Sequence, residues 1–156
     1  MMISIIIPAR NRADDLQKIL PSYLSQKHLL EVIIVDDSSE PEQLEKIRNL
    51  VKNNPKCVLL QEGRSFGLTG AKNRGIDRAR GSFVFFGEDD MILPPDHLEV
   101  LLEHLKAHDA DVIGGRKIYL EPNENPDASL KRTVTKKGDP FNRFLLEFHS
   151  DCTGEN

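Results

Sequence analysis

With 156 residues, 38% of them hydrophobic and 29% charged, the chain has the make-up of one ordinary globular domain rather than a disordered segment, and a core of that size buries roughly 70% of the unfolded chain's surface without staples. A net charge of −4 speaks against a nucleic-acid partner, and the densest basic region, Lys131, Arg132, Lys136 and Lys137, is read as a mobile loop rather than a phosphate-tracking stripe. Cys57 and Cys152 show no CxxC spacing and read as reduced thiols of a cytoplasmic protein; the six apolar residues ahead of Pro8 are too few for a signal segment or a transmembrane span.

In chain order, residues 3–7 are a near-continuous β-branched run stopped by Pro8, the pattern of a central strand, with Arg10, Asn11 and Arg12 in the loop at its end. The next helix carries Leu16, Ile19, Leu20, Tyr23 and Leu24 on one stripe, and Pro21 inside it predicts a kink. Residues 30–35 form a second buried strand ending in Asp36 and Asp37. Ser38 and Ser39 are candidate caps for a helix that Pro41 opens and whose Leu44, Ile47, Leu50 and Val51 face inward. Residues 57–60 form a third strand. Residues 61–70, with three glycines, read as a loop feeding a helix over 71–80, whose small residues allow close approach to a ligand or a strand.

Residues 82–86 are aromatic and β-branched, bounded by Gly81 and Gly87, and read as a strand covered on both faces. It ends abruptly in Glu88, Asp89 and Asp90. Behind them an amphipathic helix turns Leu98, Leu101, Leu102 and Leu105 inward, and a further segment over 111–120 is broken at Gly114-Gly115. Residues 121–138 are polar and without periodicity, a mobile loop or lid, and Asp139-Pro140 opens a last helix with Phe141, Phe144, Leu145 and Phe148 on one stripe. Strands and helices alternate, which predicts an α/β, Rossmann-like, mostly parallel sheet with helices on both faces.

In such sheets ligands bind beyond the carboxyl ends of the strands. That rule gathers Arg10, Asp36, Asp37, Arg64, Glu88, Asp89 and Asp90 along one edge. Three adjacent carboxylates repel, by roughly 4 kcal/mol for a pair 4 Å apart at an effective dielectric near 20, unless a cation lies between them. Carboxylate oxygens suit Mg²⁺ or Mn²⁺, with substrate phosphates and water completing the shell. The plainer reading is a solvated acidic turn ahead of the helix that follows Pro95. Arginines and glycines beside two acidic pairs suit a nucleoside diphosphate.

The segments Ile5-Ile-Ile-Pro-Ala-Arg-Asn-Arg12, Val32-Ile-Ile-Val-Asp-Asp-Ser-Ser39, Gly70-Ala-Lys-Asn-Arg-Gly-Ile76 and Ser82-Phe-Val-Phe-Phe-Gly-Glu-Asp-Asp90 occur in an order and spacing that resembles a family 2 glycosyltransferase of the GT-A fold. The resemblance implies an inverting transfer of a sugar from a nucleoside-diphosphate sugar to an acceptor hydroxyl, with Mn²⁺ or Mg²⁺ on the diphosphate. It also implies donor-binding roles for Pro8, Ala9, Arg10, Asp37 and Asn73, with Arg64 and Lys72 as looser candidates, Asp36 structural, Asp89 facing the donor ribose or sugar, and Asp90 holding the metal. Glu88 stands where the family has its first Asp and reaches the metal through a water, while Met91 takes a place often held by another Asp. The implied organisation is a nucleotide-diphospho-sugar-binding core over 1–120, the mobile loop over 121–138, and a docking helix over 139–156 that begins an acceptor region. No acid matches the family's general base, Glu147, Asp151 and Glu155 lying in no recognisable motif, so the expectation is a truncated chain that binds donor and metal and transfers sugar poorly. The acceptor, whether saccharide, lipid or protein, is unknown, and a homodimer and peripheral attachment to a membrane are left open.

Other readings compete less well. A zinc site on His97, His104 and His108 lacks the His-Glu-x-x-His pattern, and the flank reads as solvated. A phosphate loop over 63–72 has Asn73 where Ser or Thr would meet Mg²⁺. A receiver domain would carry its acid pair on the first strand rather than the second. A nucleotidyltransferase would want glycine in the loop Ala9-Arg10-Asn11-Arg12. A non-catalytic nucleotide-sugar-binding module would keep the donor pocket and release no diphosphate.

Overall fold

The computed structural model of the chain describes residues 1–115. They fall into two compact units, one spanning Met1–Asp96 and a second that begins at His97.

The first unit is a four-stranded parallel sheet in the order β3-β2-β1-β4, made of β1 (Ile3–Ala9), β2 (Leu29–Asp36), β3 (Cys57–Gln61) and β4 (Phe83–Phe86). The two central strands are the β-branched runs of the sequence, and Ile5, Ile6, Ile7, Val32, Ile33 and Ile34 are fully buried. Helices α1 (Ala13–Leu24) and α2 (Pro41–Lys52) pack on each other, while α3 (Gly67–Arg78) lies against β1 and β2. Strand order and right-handed crossovers together put α1 and α2 on one face and α3 on the other. Alternation of side chains across β1 agrees, since Ile6 joins Ala71 of α3 in one apolar cluster whereas Ile7 lies beside Tyr23 of α1, across the empty Cα face of Gly87.

The small residues of α3 are used against the sheet. Ala71 and Gly75 are its buried positions, and a methyl group at Gly75 would overlap the Ile6 side chain. Gly75→Ala is therefore expected to destabilise the fold by about 1–3 kcal/mol through overpacking, despite the better helix propensity of alanine, as a thermal melt would register.

At the amino-terminal end of the strands, Glu31 is buried at 1% exposure. It accepts from the Ser4 hydroxyl at 2.9 Å, from the Arg80 backbone N–H at 3.0 Å and from the Arg80 guanidinium at 2.7 and 3.0 Å, while the Gly81 N–H donates to the Ser4 hydroxyl at 2.9 Å. Burial opposes the Glu31 charge, but the Arg80 and Ser4 hydrogen bonds outweigh it and hold the carboxyl below its usual range.

Several sequence expectations are corrected. β4 is not covered on both faces: Val84 and Phe86, which share a face, are 37% and 44% exposed, because the helix on that side, α3, packs chiefly over β1 and β2. Helix α3 begins at Gly67 rather than at residue 71, so Gly70 is helical. Neither Ser38 nor Ser39 caps α2, whose N-cap is Glu40 with Pro41 in the first turn. Cys57 is a free, buried thiol, and burial pushes its pKa up to about 11.

The second unit contains α4 (His97–Ala107), with Leu98, Leu101 and Leu102 buried. His97, His104 and His108 are partly buried rather than solvated; His104 and His108 stack at 6.0 Å, and burial lowers the His97 pKa. Residues 111–115 form no regular element. The rest of the expected segment to 120, the loop over 121–138, the helix from Asp139, the acids Glu147, Asp151 and Glu155, Cys152 and the basic cluster from Lys131 to Lys137 lie outside the described residues. Among the described residues no helix is long and apolar enough to cross a membrane.

Candidate active site

The carboxyl ends of β1, β2 and β4 are stitched together by backbone and short polar side chains. Beyond the β1–β2 ladder the Asp37 N–H still donates to the Ala9 carbonyl at 2.9 Å. Asn11, in the left-handed region at φ 56°, donates its N–H to the Ser39 hydroxyl and accepts the Glu40 N–H on its side-chain oxygen at 2.7 Å. Asp36 is buried and accepts the Ser39 N–H.

Asp37 points the other way, to the start of α3. Its carboxylate accepts the Phe66 N–H at 2.6 Å, the Ser65 hydroxyl at 2.7 Å and the Gly67 N–H at 3.2 Å. An anion there satisfies N–H groups that a helix start leaves orphaned and meets the positive end of its dipole. Partial burial works against the charge, yet these three donors, with Arg10 nearby, hold the Asp37 carboxyl below the usual carboxylate range. Arg64 lies over the Phe66 ring at 4.6 Å and Arg74 at 3.4 Å, and Arg74 also pairs with Glu62. Pro8, Ala9, Arg10, Asp37 and Arg64 thus belong to one cluster around the β1 end, the β2 end and the entry to α3.

The acids form the second half of the site. The last β1–β4 bond is the Gly87 N–H donating to Ile6 at 2.9 Å. Two residues on, Pro8 has no N–H to offer the same neighbour, so the ladder stops and the chain leaves the sheet at Glu88. Asp89 is partly buried and Asp90 exposed. Burial raises the Asp89 pKa; Arg12, whose guanidinium is 3.9 Å away, opposes this, and the neighbouring Asp90 charge adds to it. Lys72 sits over the Phe86 ring at 5.3 Å, just before the acids, whereas Asn73 is exposed on α3. Among the described residues no three acids, histidines or cysteines converge into a ready-made metal cage.

Two participants were not singled out from the sequence. Arg12 is fixed by Asp15 at 2.9 Å and faces Asp89, a role that its spacing of three from Asp15 in the first turn of α1 could have suggested. Tyr23 reads as one more apolar stripe residue, yet its hydroxyl meets the Glu88 backbone.

The profile of the family described as Glycosyl transferase family 2 matches residues 4–154, so the chain belongs to glycosyltransferase family 2. It is 32% identical over 155 residues to the GalNAc(5)-diNAcBac-PP-undecaprenol beta-1,3-glucosyltransferase of Campylobacter jejuni, a match covering 95% of this chain and 50% of that relative. Among solved structures it is similar to S. aureus TarS 1-349 in complex with UDP, with a TM-score of 0.61 and 24% identity over 79% of this chain and 38% of that one. It is also similar to the mannosyltransferase PcManGT from Pyrobaculum calidifontis in complex with GDP-Man and Mn²⁺, with a TM-score of 0.59 and 22% identity over 78% and 36% of the two chains. These likenesses establish the GT-A fold. The chain spans about half the length of the Campylobacter relative.

Proposed function

We propose that these residues are the donor half of a glycosyltransferase that binds a nucleoside-diphosphate sugar with Mn²⁺ or Mg²⁺ and passes the sugar, with inversion, to an acceptor hydroxyl. The observation that carries this is the convergence on one sheet edge of the Asp37 cluster, suited to a nucleoside, and the acidic turn, suited to a diphosphate-bound cation. The carboxylates fit such a cation, being hard oxygen donors too few to enclose it, so that phosphate oxygens and water complete the shell. Bound there, it would supply Lewis-acid neutralisation of charge on the leaving diphosphate. In this reading Asp90 holds the metal, Glu88 reaches it through water, and Asp89 faces the donor ribose or sugar with Arg12 keeping its charge.

Pro8, Ala9 and Arg10 border the base, Asp37 accepts a hydrogen bond from it, and Arg64, Lys72 and Asn73 supply further donors at the α3 side. The acceptor oxygen bonds to the anomeric carbon as the bond to the diphosphate breaks, its electron pair leaving with the diphosphate and the acceptor proton going to a base outside these residues. A cytoplasmic location, with peripheral contact to a membrane, accords with such a donor pool.

Calorimetric titration of UDP, GDP and dTDP, each with and without Mn²⁺, tests the reading. One nucleotide should bind, and more tightly with metal. Silence for all three would refute a donor pocket, and binding without diphosphate release from any nucleotide sugar would favour a non-catalytic binding module.

A further inference from the structure

The acidic turn has no strand to rest on. Past Gly87 the β1–β4 ladder has ended, and the backbone that presents Glu88, Asp89 and Asp90 would be left without sheet partners. The last turn of α1 and the residues just after it supply them. The Tyr23 hydroxyl donates to the Glu88 carbonyl at 3.1 Å and accepts the Glu88 N–H at 3.2 Å, so a single hydroxyl satisfies both backbone groups of the first acid. Ser22 accepts the Leu93 N–H at 3.1 Å, and Gln26 donates to the Pro94 carbonyl at 2.8 Å, fastening the far side of the same segment. Gly87 leaves room for the arrangement, since a Cβ there would lie 2.8 Å from the Tyr23 ring and 3.0 Å from its hydroxyl.

We propose that Tyr23, supported by Ser22 and Gln26, is the positioning residue of the acidic turn, fixing the Glu88 backbone so that Asp89 and Asp90 are held ready for metal and donor. This rests on the donor-half reading given above. Tyr23 is fully buried, and a phenolic hydroxyl can donate and accept at once, which is the use made of it here. Residues that orient a metal's ligands typically change metal affinity about 10–100-fold when lost. Tyr23 would act in that way through the backbone rather than through a ligand side chain.

The test uses Tyr23→Phe, which keeps the ring and its packing and removes only the hydroxyl, beside Gly87→Ala, which pushes the ring away. In both, hydrogen exchange of the peptide over 87–95, measured without metal or nucleotide, should quicken, and in Tyr23→Phe that of β1 should stay unchanged. The Mn²⁺ concentration giving half-maximal enhancement of nucleotide binding should rise about 10-fold or more, and saturating Mn²⁺ should restore the enhancement. Wild-type exchange in the turn or an unshifted Mn²⁺ requirement would each overturn the proposal. If wild-type protein itself shows no Mn²⁺ enhancement, the donor-half reading fails and the metal role of Tyr23 with it; the exchange arm still decides whether Tyr23 holds the turn.

Discussion

Asp90→Asn is expected to erase the strengthening of nucleotide binding by Mn²⁺ while leaving metal-free affinity and the melting temperature close to wild type. Asp90 is the exposed acid of the turn, and its charge adds to the forces that raise the Asp89 pKa, so neutralising it relieves a repulsion in the unliganded protein. Surface changes of this kind usually stay within about 0.5 kcal/mol. The effect on metal is of another order. On the proposed assignment a metal-binding oxygen is lost, and the change should exceed the roughly 10–100-fold that outer partners of a ligand are worth. A Mn²⁺ titration at fixed nucleotide reads it directly. Undiminished enhancement in the variant would move the metal to Glu88 or Asp89.

Asp37→Ala should differ in kind, weakening nucleotide binding with and without metal and also costing stability. The carboxylate accepts from Phe66, Ser65 and Gly67, and its removal uncaps α3, a loss of about 1–2 kcal/mol by analogy with other helix caps. The pH dependence has a definite sign. Because the folded-state pKa lies below its unfolded value, near 3.9 for a free Asp, the stabilisation is fully present above that value. It disappears as pH falls through the lower folded value. Thermal melts should therefore show wild type and variant well apart at pH 7 and converging in strong acid. An Asp37→Ala protein with wild-type nucleotide affinity would remove Asp37 from the binding site.

The sequence made the central strands and the inner faces of α1, α2 and α4 legible because each is a long apolar pattern of one period. Its failures share a cause, which is dependence on a partner remote in the chain. Gly67 to Gly70 looks like a loop by composition, but Asp37, about thirty residues earlier, supplies the carboxylate that lets a helix begin there. Three phenylalanines in β4 look doubly buried, and only the fold reveals that α3 packs chiefly over β1 and β2 and leaves one face of the strand exposed. Ser39 resembles a helix cap, yet its hydroxyl is taken by Asn11. Of the site, the acids, the Asp pair and Arg10 stood out because charge at the end of an apolar run has no packing explanation. Tyr23 could not stand out, since its ring obeys the α1 stripe while its hydroxyl serves residues 65 positions away.

The Ser4–Glu31–Arg80 contacts bear on the far end of the sheet as well. Parallel strands have no tight hairpin turn to fix which residue faces which; they are joined by long crossovers that tolerate slippage. Sliding β4 by one residue would carry the acids about 3.3 Å along the strand and turn each side chain to the opposite face. Glu31 and Ser4 can satisfy the Arg80 and Gly81 backbone donors in one alignment only. The clasp thus serves as a gauge stop: by anchoring the chain where it enters β4, it sets the depth at which Asp89 and Asp90 emerge, a strand's length away.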